Sequence, residues 1–270
     1  MIQKPPLPRE HGAWVMLAVP LLLGNILAPS WHPRSLLLIL AVFSGFLARH
    51  PLSYLIKTRS RKRASRRKHQ HTQWFLIYTS FSMLAGGILL LVYRLDGILV
   101  FALVMLLCLA LDMLYVSLRK SMSVQAESIG VFGLALCAPM SMYVASGQVS
   151  MEGFLLGMLV ALYFVGSILY IRLKARRQPR MPAPTEFWPR CLAASDALLY
   201  HLVAFVFVVA FAVTGWLPLW TPVAFLPVTL KAIWGGLSWQ DKQSLSLKKL
   251  GMIECIHAVL FCGLVYVAFG

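Results

Sequence analysis

The chain has 270 residues, 59% of them hydrophobic, and 25 lysines and arginines against 9 acidic residues, a formal net charge of +16. A soluble domain could not bury that much apolar surface, and its charge would be scattered rather than confined to short islands. Between the islands lie runs of about 17 to 24 apolar residues, long enough to cross a hydrocarbon core roughly 30 Å thick at about 1.5 Å per residue. The pattern excludes a large soluble α bundle and predicts an all-α, polytopic membrane helical bundle.

Nine spans are expected in one integral membrane domain, 1–270. The first, 12–29, is followed by "PSWHPRS" rather than a small-residue cleavage site, so no cleavable signal peptide is expected. The second, 35–56, carries Arg49 and His50 just before Pro51, whose ring frees a carbonyl one turn earlier. After it comes "KTRSRKRASRRKHQH", 57–71, with eight basic side chains and no acid. The third and fourth spans are 73–93 and 97–118, and on the fourth Asp112, Tyr115 and Arg119 fall at i, i+3 and i+7 on one helix face. The fifth, 124–146, opens on Glu127, an acid that suits the helix dipole. The sixth, 151–171, runs into a second basic stretch, "YIRLKARRQPR". The seventh, 196–216, starts with Asp196, Tyr200 and His201. The eighth, 219–236, is separated from it by "WLPLW" and is expected to kink at Pro222 and Pro227. The ninth, 250–269, carries an "ExxH" formed by Glu254 and His257.

Five cysteines without CxxC spacing, four of them in apolar runs, suggest neither a disulfide framework nor a zinc site. A single ExxH is also short of a di-iron site, which needs two copies and two further glutamates. Its shared face suits an interhelical hydrogen bond worth roughly 1 kcal/mol.

Charge sets the expected orientation. Of the 25 basic residues 22 are counted on one side of the spans, Lys231 among them although it falls inside the eighth; Arg34 and Arg94 lie on the other side, and Arg49 lies within the second span. The positive-inside rule then puts the N-terminus in the cytoplasm and the C-terminus outside, in the cell membrane. The basic loops face anionic headgroups there, each side chain near the surface contributing about 1 kcal/mol. No folded soluble domain accompanies the run at 57–71, so nucleic acid is not an expected partner.

Intramembrane charge is costly and usually faces a cavity or a partner. Arg49 and His50 are expected to point into a cavity beneath the basic loop, with Tyr54 one turn further on; the alternative is an Arg49 that snorkels to the interface. Asp112 can pair with Arg49 or orient Tyr115. "REHGAW", 9–14, lies at the mouth of the first helix, where Arg9, Glu10 and His11 can rim the same cavity and Trp14 also reads as an interface anchor.

Two stretches carry a family resemblance: "PREHGAWVMLAVPLLLGNILA", 8–28, and "LDMLYVSLRKSMSVQAESIGVFGLALCAPMSMYVASG", 111–147. The second resembles the fourth and fifth helices of the UbiA superfamily of membrane prenyltransferases, with Tyr115 before a short basic loop at Lys120 and a glycine exit at Gly147. The first is similar both to that family's first helix and to the YwiC-like membrane proteins, whose hallmark resembles "REHGAW". The UbiA resemblance implies Asp-rich motifs after the second and sixth helices that hold Mg²⁺ against a prenyl diphosphate. Neither basic stretch here contains an acid. A hard dication needs oxygen ligands, usually carboxylates. Mg²⁺ and other cofactors are therefore not expected, nor is Mg²⁺-dependent prenyl transfer.

Where the resemblance places metal, this chain places cations: Lys57, Arg59 and Arg61 on one stretch, Arg172, Lys174 and Arg176 on the other. They either grip an anion directly or simply obey the charge rule. The expected ligand is an anionic amphiphile such as an isoprenoid phosphate or a quinone precursor. A small-anion transporter and a non-catalytic membrane partner of a respiratory or lipid-pathway complex are the alternatives.

Overall fold

The computed structural model describes residues 5–8, 11–59, 66–239 and 246–270, with nothing described of the His11 side chain. Among them every regular element is helical: α1 His11–Ile26, α2 Arg34–Lys57, α3 Arg66–Leu91, α4 Ile98–Ser117, α5 Val124–Ala135, α6 Cys137–Ser146, α7 Met151–Arg172, α8 Phe187–Ala193, α9 Ser195–Val213, α10 Leu226–Leu237 and α11 Leu247–Phe269. Seven helical segments are long and apolar enough to cross a membrane, and two shorter apolar helices, Gly12–Ile26 and Thr221–Leu237, accompany them. This is a multi-pass, all-α membrane protein.

Each of the nine expected spans has its helix, with four differences that have local causes. The third helix begins at Arg66, not near 73. Arg, Lys and Gln are good helix formers, so the helix continues past its apolar part. The fifth span is two helices, α5 and α6, because Pro139 has no N–H to offer the carbonyl of Ala135. The second basic stretch is not a loop: α7 continues through a π turn, Leu173–Arg177, and a 3₁₀ turn, Gln178–Arg180. The eighth span is a 3₁₀ turn, Thr221–Phe225, followed by α10, so Pro222 and Pro227 occupy first-turn positions where no N–H is needed, instead of kinking one helix.

The chain divides into two compact units, Met1–Gly157 and Met158–Gly270, with the division inside α7. In the first unit α2 and α3 form a hairpin, and Leu17, Leu38, Val42, Leu89, Phe101, Met140 and Val144 fill a core shared by α1, α2, α3, α4 and α6. Trp14 belongs to a second cluster on the hairpin. Its ring lies 5.4 Å from that of Phe46 and 5.7 Å from that of Phe43, so it packs against α2 within the unit.

Helices α1 and α6 cross so closely at Gly24 that a Cβ there would stand 2.4 Å from the Ala138 carbonyl oxygen. The Gly97 amide donates to the Tyr143 hydroxyl at 2.9 Å, and Arg34 Nη2 donates to the Ala145 carbonyl at 3.1 Å near the end of α6. Gly147, with φ +80°, closes that helix by donating to the Tyr143 carbonyl. This left-handed turn is one that glycine adopts without steric cost.

In the second unit Tyr163 of α7 stacks on Phe261 of α11, ring centroids 4.2 Å apart, and Phe225 meets Phe261 edge-on. The C-terminal end of α10 is held from three side chains. Lys174 Nζ donates to the Ser238 carbonyl and hydroxyl, Gln178 Nε2 to the Gly235 carbonyl at 3.0 Å, and Arg190 Nη1 to the Leu237 carbonyl at 3.1 Å. Cationic donors suit a helix C-terminus, where carbonyls lack intrahelical partners.

Candidate functional site

In the first unit α2 and α4 bring two intramembrane charges together. Arg49 lies about two turns before the end of α2. Its Nε donates to Asp112 Oδ2 at 2.7 Å and its Nη2 to Oδ1 at 3.0 Å, so both carboxylate oxygens are engaged by one guanidinium edge. The Asp112 side chain is 3% exposed and that of Arg49 47%. The acid is sealed inside, while about half of the arginine side chain is exposed. Of the two roles open to Asp112 in the sequence, this geometry takes the pairing with Arg49. Such a two-point pair is stronger and more directional than a single charged hydrogen bond.

One step along α2 an aromatic group begins. His50, Tyr54 and Lys57 share a helix face. The His71 ring, from α3, stacks on Tyr54 at 3.9 Å and 14°, and lies 6.2 Å from the His50 ring. The sequence singled out His50 and Tyr54 but not His71, which it placed at the end of a loop; only the earlier start of α3 aims that ring at α2.

The remaining expected residues are more dispersed. Tyr115 is half-buried one turn beyond Asp112, while Lys57, Arg59 and Lys120 are exposed at helix ends. Arg119 does not extend the Asp112 face: α4 ends at Ser117, and Arg119 sits in a turn with φ +58°. Arg9, Glu10 and Arg61 lie outside the described residues, and His11 opens α1. In the second unit Arg172 ends α7, and Lys174 and Arg176 lie on the π turn. Lys174 is buried and its ammonium is turned to the end of α10, not to an exposed rim.

The second unit also holds charged residues the sequence reading assigned elsewhere. Lys231, counted among the basic residues of one membrane side, lies mid-way along α10 and is buried; its Nζ donates to Glu254 Oε1 at 2.7 Å. Glu254 thus makes the interhelical bond expected of the ExxH, but His257 does not join it: that ring is half-buried and bonds the Ile253 carbonyl of its own helix. A lone lysine inside "LPVTLKAIWGG" was the available signal.

The profile of the YwiC-like protein family matches residues 7–142, just over half of the chain. The chain belongs to the YwiC-like family. A relative described as "Uncharacterized protein YwiC", from Bacillus subtilis (strain 168), is 25% identical over 259 residues, 94% of each chain. No solved structure matches. In this YwiC-like chain the matched stretch holds "GAW", Arg49, His71, Asp112 and Tyr115, and it ends before α7 begins. The likeness to the relative continues through the second unit.

Proposed function

We propose that this protein binds an anionic amphiphile, an isoprenoid phosphate or quinone precursor, at the cationic end of the α2–α3 hairpin, without a bridging metal. The observation that carries the reading is the Arg49–Asp112 pair. Asp112 fixes one edge of the guanidinium, and the remaining N–H donors stay available to a phosphate or carboxylate, which arginine meets with a matching fork. The Tyr54–His71 stack beside it offers a flat surface to an aromatic headgroup or an isoprenoid. Lys57 and Arg59 add charge at the exposed end. The resemblance to the UbiA superfamily read from the sequence implies a diphosphate subsite in the same region, with bases here in place of its acids.

Binding of radiolabelled farnesyl diphosphate to detergent-purified protein tests this reading. Affinity is expected to fall as salt rises, since exposed charges are screened over about 8 Å at physiological ionic strength, and to be unchanged by EDTA. Reversing Lys57 and Arg59 to Glu should weaken binding about tenfold, or about 1.4 kcal/mol, whereas reversing Lys248 and Lys249 should change it little. Equal effects from the two pairs would show diffuse charge in place of a site. Loss of binding in EDTA would show a metal requirement.

We further place the protein in the cell membrane with the N-terminus in the cytoplasm and the C-terminus outside, on the charge bias, which survives the removal of Lys231 from the count. A cysteine-free variant carrying Gly270→Cys should react with a membrane-impermeant maleimide added to intact cells. Labelling only after lysis would reverse the orientation.

A further inference from the structure

The second unit buries an ion pair that no helix cap or turn requires. Lys231 of α10 and Glu254 of α11 are joined at 2.7 Å, and Ser167 of α7 donates its hydroxyl to the other carboxylate oxygen. Lys231 is 9% exposed, Glu254 6% and Ser167 3%, so solvent does not screen the pair. The Lys231 ammonium also lies 4.6 Å from the centroid of the Tyr170 ring. Among the described residues, Tyr163 and Tyr170 of α7, His201 of α9 and Cys255 beside Glu254 on α11 are the other titratable groups within electrostatic reach of the pair.

Two of these leave a buried polar atom unanswered. His201 Nδ1 meets the Ala197 carbonyl at 2.7 Å, but its Nε2 has no partner among the described residues, and neither has the Tyr163 hydroxyl. His201 is 4% exposed and Tyr163 1%. The free nitrogen lies against Gly166, where a Cβ would stand 2.9 Å from it, on the same turn of α7 as Ser167. The unanswered atoms and the ion pair thus form one neighbourhood.

Stability does not explain such a pair, because well-packed apolar residues of similar volume often serve as well or better. Ionisable groups inside a membrane mark binding sites and proton or ion pathways far more often. Charge bookkeeping then limits what this one can bind. As ammonium and carboxylate the cluster is neutral. Protonating Glu254 alone leaves Lys231 as a lone buried cation, and adding an anion alone leaves the cluster negative; both are strongly opposed in a low dielectric. A proton and a monovalent anion arriving together preserve neutrality.

We propose that Lys231 and Glu254 form a proton-coupled binding site for a small monovalent anion, a halide or short carboxylate. The anion takes the place of the Glu254 carboxylate at Lys231 Nζ. The displaced carboxylate accepts one proton and becomes a carboxylic acid. Ser167 then turns its hydroxyl from donor to acceptor, His201 keeps its Nδ1 proton on the Ala197 carbonyl so that its bare Nε2 can accept, and the Tyr163 hydroxyl supplies a further hydrogen bond. Release reverses each step, and no group is oxidised or reduced.

The test uses the full-length protein in detergent micelles at low buffer strength, with a pH-indicating dye. Adding pH-matched sodium chloride or sodium formate is expected to cause saturable proton uptake, stoichiometric with protein, which sodium gluconate does not. The double variant Lys231→Met/Glu254→Leu should melt cooperatively and show no uptake. No uptake by the natural protein with either probe, or equal uptake by the double variant, overturns the proposal. Should that variant fail to fold, infrared difference spectra of the natural protein decide. Formate or chloride must raise the C=O stretch of a protonated carboxylic acid, shifted by deuterium oxide, and its absence overturns the proposal equally.

Discussion

Glu254→Leu is expected to be among the most damaging single substitutions in the chain, lowering stability by about 3–5 kcal/mol, because it strands the Lys231 ammonium in a buried site. Lys231→Met should cost a similar amount by stranding the carboxylate. The informative result is the combination. Lys231→Met/Glu254→Leu removes both charges and fills the space with apolar atoms, so most of the lost stability should return, a coupling that only directly interacting residues show. Thermal denaturation in detergent, followed by the exposure of the free cysteines to a thiol-reactive dye, measures all four proteins. A double variant as unstable as the sum of the single ones would mean that the two charges do not compensate each other.

Gly24→Ala is the second large effect. The added Cβ would meet backbone, the Ala138 carbonyl oxygen, and not the yielding end of a side chain, so α1 and α6 must separate. Forcing extra atoms into a filled interior typically costs about 1–3 kcal/mol. Gly86→Ala in α3 is the control. Nothing lies within 4 Å of a Cβ at that position, and alanine is the better helix former. The same thermal assay should show a clear loss for Gly24→Ala and no loss for Gly86→Ala. Equal behaviour would mean the α1–α6 crossing relaxes freely.

The spans were legible because membrane insertion writes itself into composition: a long apolar run has few structures available other than a helix. Pairing was legible only where cost made it so. Arg49 and Asp112 were expected to find partners because neither is tolerable in lipid, and they found each other. Lys231 escaped the same reasoning. The eighth span, with its two prolines, reads as ending near Gly236, which puts Lys231 toward a membrane face. Lys174 was misjudged for a related reason. A basic run reads as a loop when charge alone is considered, yet here it winds on as helix and spends its lysine on another helix's end. Which donors cap which carbonyls is decided in three dimensions, and no spacing along the chain announces it.

The Arg49–Asp112 pair also imposes an order on the birth of the molecule. Its two residues are 63 positions apart, and the arginine is made first. At about 5–20 residues per second, roughly 3 to 13 s pass between their syntheses. During that interval Arg49 does not yet have Asp112 to pair with. The α2–α3 hairpin therefore gains this ion pair only once α4 has been made.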